Sequence, residues 1–212
     1  MTLQGRIFIA RHGETVFNAA SRMQGQANIH TPLTRTGFAQ ADQMGKALAK
    51  WLGTRQTLSL WSSTAGRALQ TMAVMAEHLG ENYHHIEQDE RLQEIDVGDW
   101  SDRTYADIAK ETPDFLDQDA RLFAVRPPNG EWYDEIATRL NNWIDDTREE
   151  RGDRLVVMHG ISSRVLRGVL QGLPVNPCFG APIADNLPQG SLVMIGGGTE
   201  KVIHLGGGVS HA

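Results

Sequence analysis

Two short apolar runs, each ending in a histidine followed by a glycine, constrain the fold of this chain more than any other feature. Ile7-Phe8-Ile9-Ala10 runs into Arg11-His12-Gly13, and Leu155-Val156-Val157-Met158 runs into His159-Gly160. Apolar runs of this length, bounded by glycine and polar residues, read as buried strands. In open α/β sheets, ligands collect in the crevice at the C-terminal ends of strands. The two runs therefore predict one site that holds two imidazoles and at least one guanidinium, a set suited to an anionic phosphoryl group.

The rest of the chain supports that architecture. Thr34 is placed to cap a helix running to about Leu52, with Phe38, Ala41, Met44, Leu48 and Trp51 near helical spacing. Leu58 to Trp61 reads as a strand, Ser62-Ser63-Thr64 as a turn, and about Ala65 to Leu79 as a helix that Gly80 can end. In that helix Leu69, Met72, Ala76 and Leu79 share a face. His84 to Gln88 is a short strand candidate. A helix over about Glu131 to Glu149 turns Trp132, Ile136, Leu140 and Trp143 inward. A helix over Ser162 to Gln171 follows the second His-Gly strand. Gly190 to Ile195 and Lys201 to Leu205 form a closing hairpin. Alternating strand and helix signals predict a three-layer α/β/α sandwich, with a mainly parallel central sheet and helices on both faces. The segment from about Asp89 to Trp132 has weak periodicity, many acids and the breaker Pro127-Pro128-Asn129-Gly130. It reads as a lid-like insertion within a single domain spanning residues 1–212.

Composition narrows the function. A formal net charge of -6 argues against sequence-independent binding to nucleic acid, which needs a basic face. The single cysteine, Cys178, excludes an internal disulfide and a multi-cysteine zinc site, and reads as an inert residue between Pro177 and Phe179. Met1 to Gly5 is too polar, and Ile7 to Ala10 too short, for a signal peptide. No segment approaches the roughly 20 apolar residues of a membrane span. The expectation is a cytoplasmic protein that engages neither membrane nor nucleic acid, with a homodimer left open. The glycine triplets at Gly196 to Gly198 and Gly206 to Gly208 precede no helix and read as turns. His30, His78, His84, His85, His204 and His211 show no metal-ligand spacing, so no metal site is expected; they read as surface or packing residues, with His30 the one candidate exception because it lies in the loop after the first site.

The strand-end residues imply a chemistry. A neutral imidazole can attack phosphorus and divide one difficult displacement into two easier ones. The moving phosphoryl group carries charge on its oxygens, so catalysis there is mostly positioning and electrostatic stabilisation. Arg11, the second histidine and Arg67 are the candidate donors, and helix N-termini would add backbone N–H groups. Nearby arginines disfavour an imidazolium and keep a nucleophile neutral, whereas a bound phosphate favours a protonated second histidine. A carboxyl group must hand a proton to the leaving oxygen, and Glu94 lies in a loop well placed for it.

Arg11-His12-Gly13-Glu14-Thr15-Val16-Phe17-Asn18 resembles the Arg-His-Gly-x-Thr-x-x-Asn signature of the histidine phosphatase superfamily, in its phosphoglycerate mutase-like branch. Further motifs follow in the branch's order. They are Arg22 and Gly25; Leu33-Thr34 with Gly37; Ser62-Ser63 with Arg67-Ala68 and Gln70-Thr71; Leu92-Gln93-Glu94 with Gly98-Asp99-Trp100; Pro128-Asn129-Gly130-Glu131 with Arg139; and His159-Gly160. The resemblance spans about residues 6 to 172. It implies that His12 is the phosphorylated nucleophile, that Arg11, Arg67 and His159 hold the phosphoryl oxygens, and that Glu94 is the proton donor and then the base for water. Asn18, Arg22, Gln24, Gly25 and Gly160 are the expected substrate-binding positions. No metal or organic cofactor is implied. The chain departs from the pattern at Thr64, where proline is usual, at Met158 and Trp132, where serine is common, and at Ser101-Asp102, where the motif usually ends in a small residue. A Trp132 side chain would make the substrate side of the pocket bulkier.

Two enzymatic readings stay open. The branch's mutases carry a longer insertion between the acid motif and the second histidine, which helps to exclude water. This chain is short there, which favours hydrolysis of a small phosphorylated metabolite. A cofactor-dependent phosphoglycerate mutase is the alternative, and a non-catalytic protein that binds a phosphorylated ligand is a third.

Overall fold

The computed structural model describes residues 5–53 and 58–208. The reading of the first four residues and His211 lie outside them. In chain order the elements are β1 (Ile7–Arg11), α1 (Val16–Ala19), α2 (Arg35–Leu52), β2 (Leu58–Ser62), α3 (Gly66–Leu79), β3 (Glu87–Gln88), α4 (Tyr105–Glu111), β4 (Leu116–Asp117), β5 (Leu122–Phe123), α5 (Tyr133–Asp146), β6 (Asp153–Met158), α6 (Gly160–Gln171), β7 (Leu192–Gly196) and β8 (Thr199–His204). The central sheet has six strands in the order β3-β2-β6-β1-β7-β8. The first four are mutually parallel, and β7 and β8 form an antiparallel hairpin against β1.

Side chains alternate across a strand, so a continuous apolar run feeds both faces of a sheet. Ile7, Ile9, Val156 and Met158 point to one face and pack with Ile136, Leu140 and Trp143 of α5 and Val165 and Leu166 of α6. Phe8, Ala10, Leu155 and Val157 point to the other and meet Met44 and Leu48 of α2 and Met72 and Met75 of α3. The sandwich expected from the strand-helix alternation is thus the observed one, with helices on both faces.

Several boundaries and faces differ from the sequence reading. Phe38 is 44% exposed. The inward face of α2 is Gly37, Gln40, Ala41, Met44, Gly45 and Leu48. Gly37 lies so close to the Glu14 carbonyl that a Cβ there would collide with it, and this contact turns Phe38 outward. The strand expected over His84 to Gln88 shrinks to β3, because Tyr83–His85 form a 3-10 turn in which the His84 amide donates to Asn82 Oδ1 at 3.0 Å. Helix α5 begins after Trp132, and α6 begins at Gly160, directly behind the histidine.

The insertion contains two short 3-10 turns, Glu90–Leu92 and Gly98–Trp100, followed by α4 and a β4-β5 hairpin that the sequence reading did not foresee. Strands of two residues carry too little periodicity to register. Leu92, Ile95, Val97, Trp100, Ile108, Phe115 and Phe123 join the same apolar cluster as α5 and α6. Trp100 meets Phe115 and Phe123 edge-on, with ring centroids 5.4 and 5.6 Å away. The insertion is therefore anchored into the core.

Candidate active site

Register brings the two histidines together. Arg11 pairs with Met158 across the parallel β1-β6 ladder, so the next residue of each strand, His12 and His159, emerges beside the other. The His12 amide donates to the Met158 carbonyl at 3.0 Å. The two rings lie 5.1 Å apart, inclined by 66°, and both are buried.

The hydrogen bonds fix both tautomers. His12 Nδ1 lies 2.7 Å from the Gly13 carbonyl. A carbonyl only accepts, so Nδ1 carries the proton and Nε2 presents a lone pair. Arg67 Nε donates to His159 Nδ1 at 3.3 Å. His159 Nε2 then carries the proton and donates to Ser63 Oγ at 2.7 Å. Burial holds both rings well below the usual imidazole pKa, with the Arg67 charge next in importance and Arg11 adding to it; the Gly13 hydrogen bond opposes this at His12, and the His12 ring and Arg139 reinforce it at His159. Both imidazoles are neutral near pH 7.

Arg67 sits in the first turn of α3. Its Nη2 and Nη1 donate to the Gly25 and Asn28 carbonyls at 3.0 and 3.2 Å, and burial lowers its pKa to about 10, leaving it charged. Arg11 donates from Nη1 to the Leu187 carbonyl at 3.0 Å. Gly160 packs on the Arg11 guanidinium, where a Cβ would sit 3.1 Å from Cζ. A larger residue here would displace the cation.

Glu94 joins the site from the insertion. Its carboxylate accepts from the Ile161 and Ser162 amides at the start of α6 at 3.1 and 2.9 Å, and from the Ile95 amide at 3.0 Å. The N-terminal amides of α6, expected to face a phosphate, are thus taken by Glu94; the first amide of α3 is likewise taken by the Ile29 carbonyl. A helix N-terminus attracts whichever anion reaches it, and here that is a side chain of the protein. Arg139 braces the same loop. Its guanidinium pairs with Glu131 at 2.7 Å and donates to the Arg91 and Glu94 carbonyls, while Glu131 accepts from the Asp96 amide at 3.3 Å.

The cleft above these groups, with the open solvent at its mouth included, is about 430 Å³. His12, Arg11, Arg67 and Glu94 line it, together with Asn18, Arg22, Gln24, Gly25 and Gly160. Asn18 Oδ1 accepts from the Thr15 amide at 3.0 Å and from Gln189 Nε2 at 2.8 Å. Gln24 Oε1 lies 3.0 Å from the Thr15 hydroxyl. His159 stands behind Arg67 and His12. His30 is exposed and is not among the residues lining the cleft.

The sequence reading missed the apolar wall. Met23, Ile95, Val97, Tyr105, Phe123 and Ile161 complete the cleft. Tyr105 and Phe123 come from the aperiodic insertion and could not be placed from spacing. It missed Gln189 too, which lies in irregular chain between α6 and β7. Ser63 was visible within its motif but had no role until its bond to His159 appeared. Trp132 does not enlarge the substrate side. It stands ahead of α5 and packs its ring on Tyr133, 4.7 Å away, and Phe179, 6.4 Å away. Two of the pattern's other departures are structural: Met158 is buried in the core, and Thr64 Oγ1 accepts from Gln93 Nε2 at 2.6 Å. Cys178 is exposed and free. Among the described residues no three His, Cys, Asp or Glu side chains cluster as a metal site, and no helix is long and apolar enough to cross a membrane.

Comparison with known proteins agrees with this geometry. The glucosyl-3-phosphoglycerate phosphatase of Mycolicibacterium vanbaalenii is 32% identical over 206 residues, covering 92% of this chain and 85% of that protein. A Citrobacter koseri protein named probable phosphoglycerate mutase GpmB is 33% identical over 177 residues, 80% of this chain and 76% of that one. Among solved structures, a mycobacterial glucosyl-3-phosphoglycerate phosphatase in complex with VO3 superimposes with a TM-score of 0.75 at 28% identity, covering 93% of this chain and 97% of that one. YhfR of Bacillus stearothermophilus gives 0.73 at 29% identity, covering 98% of both. The sequence profile of the histidine phosphatase superfamily, branch 1, matches residues 7–202, and to that family of enzymes this chain belongs.

Proposed function

We propose that this protein hydrolyses small phosphomonoesters through a phosphohistidine formed on His12. The observation that carries the reading is the His12 tautomer: Nδ1 is committed to the Gly13 carbonyl, burial and the neighbouring arginines keep the ring unprotonated, and Nε2 is left with the lone pair that attacks phosphorus. The P–O ester bond breaks as the P–Nε2 bond forms, and the departing oxygen takes, by way of Glu94, the proton that the phosphomonoester monoanion brings to the carboxylate. The resulting Glu94 carboxylate then takes a proton from water, whose oxygen attacks phosphorus. Inorganic phosphate leaves and neutral His12 returns. Arg11 and Arg67 balance the charge on the equatorial oxygens. His159 stands behind Arg67, and in this reading its part is to hold the Arg67 guanidinium through Nδ1; the direct contact with the phosphoryl oxygens expected from the sequence is replaced by this support. Guanidinium and imidazole groups supply the positive charge, and the reaction in this reading calls for no metal or organic cofactor. In this reading the partner is a small phosphorylated metabolite and the activity is cytoplasmic.

The insertion is short, and the cleft opens at the exposed Arg22 side. Water therefore competes well against a second substrate for the phosphohistidine. The test is to measure phosphate release across sugar phosphates, phosphoglycerates, nucleotides and phosphoamino acids, beside interconversion of 2- and 3-phosphoglycerate primed with bisphosphoglycerate. Phosphate release is expected to be the faster. Primed interconversion outrunning release from every ester would replace the hydrolase reading with the mutase one, and neither activity would leave a phospho-ligand binding protein.

A further inference from the structure

Three arginines line the cleft. Arg11 and Arg67 are buried at its floor, whereas the Arg22 side chain is 42% exposed. A phosphoryl group held at His12 directs its leaving group away from the floor, toward the wall of Met23, Val97, Tyr105 and Phe123 and toward Arg22. A leaving group with a second negative charge would look to Arg22 for its counter-ion. That guanidinium is already engaged. Its Nη1 donates to Asp102 Oδ1 at 2.8 Å and to the Asp102 carbonyl at 2.5 Å.

We infer that the Arg22–Asp102 pair at the cleft mouth selects against esters with an anionic leaving group, with Asp102 as the specificity-determining residue acting through Arg22. This rests on the phosphomonoesterase reading and adds to it the substrate class: phosphomonoesters of uncharged alcohols. The Asp102 carboxylate satisfies the mouth cation and leaves a negative charge beside Arg22, a repulsive element of the kind that specificity requires.

Backbone geometry holds the pair in place. The Met23 amide donates to the Arg103 carbonyl at 2.9 Å and the Asp102 amide to the Met23 carbonyl at 3.0 Å, and Arg22 forms an isolated bridge with Thr104. Asp102 has φ +63, a left-handed conformation that aspartate, asparagine and glycine tolerate best. Asp102→Asn therefore suits the backbone, keeps the carbonyl that accepts from Arg22, and removes only the carboxylate charge.

The experiment compares kcat/KM for phenyl phosphate and 4-carboxyphenyl phosphate at low and high salt. The preference of the wild type for phenyl phosphate is expected to fall about two- to fivefold in Asp102→Asn, the range set by an exposed ion pair. The change should sit mainly in KM for the carboxylated ester and shrink as salt screens the charges. Asp102→Gly, also suited to the positive φ, should reproduce it, and in an Arg22→Gln background Asp102→Asn should move the ratio less. A merely structural defect lowers both esters alike. An unchanged ratio in folded Asp102→Asn and Asp102→Gly, with phosphate release intact, overturns the inference and leaves the hydrolase reading standing. Absence of phosphate release from both esters in the wild type removes that reading, and this inference with it.

Discussion

At the residue scale, the proposed reaction turns on the protonation of His12. Its low basicity arises first from burial and then from Arg67, which gives a signed expectation. The acid limb of kcat/KM should lie below the ordinary imidazole value of about 6.5. Arg67→Met removes a charge that disfavours the imidazolium, so it should move that limb upward toward 6.5 as well as lowering the rate. A pH-rate profile that keeps its acid limb in place would show that Arg67 does not tune His12. His12→Ala should lower turnover by about 10^4-fold or more while far-ultraviolet circular dichroism stays native, since the ring lines a cleft. Substantial residual hydrolysis by the purified, folded variant would remove His12 as nucleophile. Glu94→Gln should slow esters of poor leaving groups more than aryl esters, because an activated leaving group needs little proton donation. Equal slowing of both would assign Glu94 to the anchoring of α6 instead.

At the scale of elements, the loop that carries Glu94 owes its position to α5. Arg139 projects from that helix, pairs with Glu131, and ties down two carbonyls of residues that flank or form the acid motif. Arg139→Met would leave a half-buried Glu131 carboxylate without its counter-ion and two carbonyls short of a donor. The expected cost is about 2–4 kcal/mol, read by urea denaturation, with kcat falling more than any change in KM. Stability within about 0.5 kcal/mol of wild type would show that the brace is dispensable. Tyr133 makes a similar tie on the other side of the cleft: its hydroxyl accepts from the Phe123 amide at 2.6 Å and faces the Phe123 carbonyl at 3.3 Å. It thereby sets the hairpin whose Phe123 forms part of the wall.

At the scale of the whole molecule, the buried histidines couple folding to pH. His12 and His159 both have folded pKa values well below 6.5, chiefly from burial. Below about pH 6.5 the unfolded chain takes up protons that the folded chain refuses, so the unfolded state binds more protons and stability rises with pH. Acidification from about 6.5 should therefore cost up to about 1.4 kcal/mol per pH unit for each histidine, continuing until the depressed folded values are reached. Denaturation curves at pH 6.5 and 5.5 test this against His159→Gln. The variant should lose part of the slope, and an unchanged slope would place the acid sensitivity elsewhere. His204, which burial also lowers, contributes in the same direction.

The sequence by itself determined the frame. Long apolar runs, helical spacing and the two strand-end His-Gly pairs are local signals, and one-dimensional periodicity carries them because a strand or helix buries a face along its own length. The mainly parallel sheet, α2, α3, α5 and the gathering of His12, His159, Arg11 and Arg67 near the strand ends were legible on that basis. Tertiary structure decided what depends on partners distant in the chain. Only packing shows that Phe38 faces solvent while Gly37 meets Glu14, that Glu94 takes up the amides of α6, or that Trp132 lies on Phe179 and not in the cleft. Tyr105 and Phe123 form part of the cleft wall because an aperiodic insertion folds back onto α5, and Arg22 meets Asp102 across 80 residues because two loops zip together. Such contacts join residues that no local pattern relates. The strand-end groups could therefore be read from the sequence, while the wall of the cleft around them had to be read from the fold.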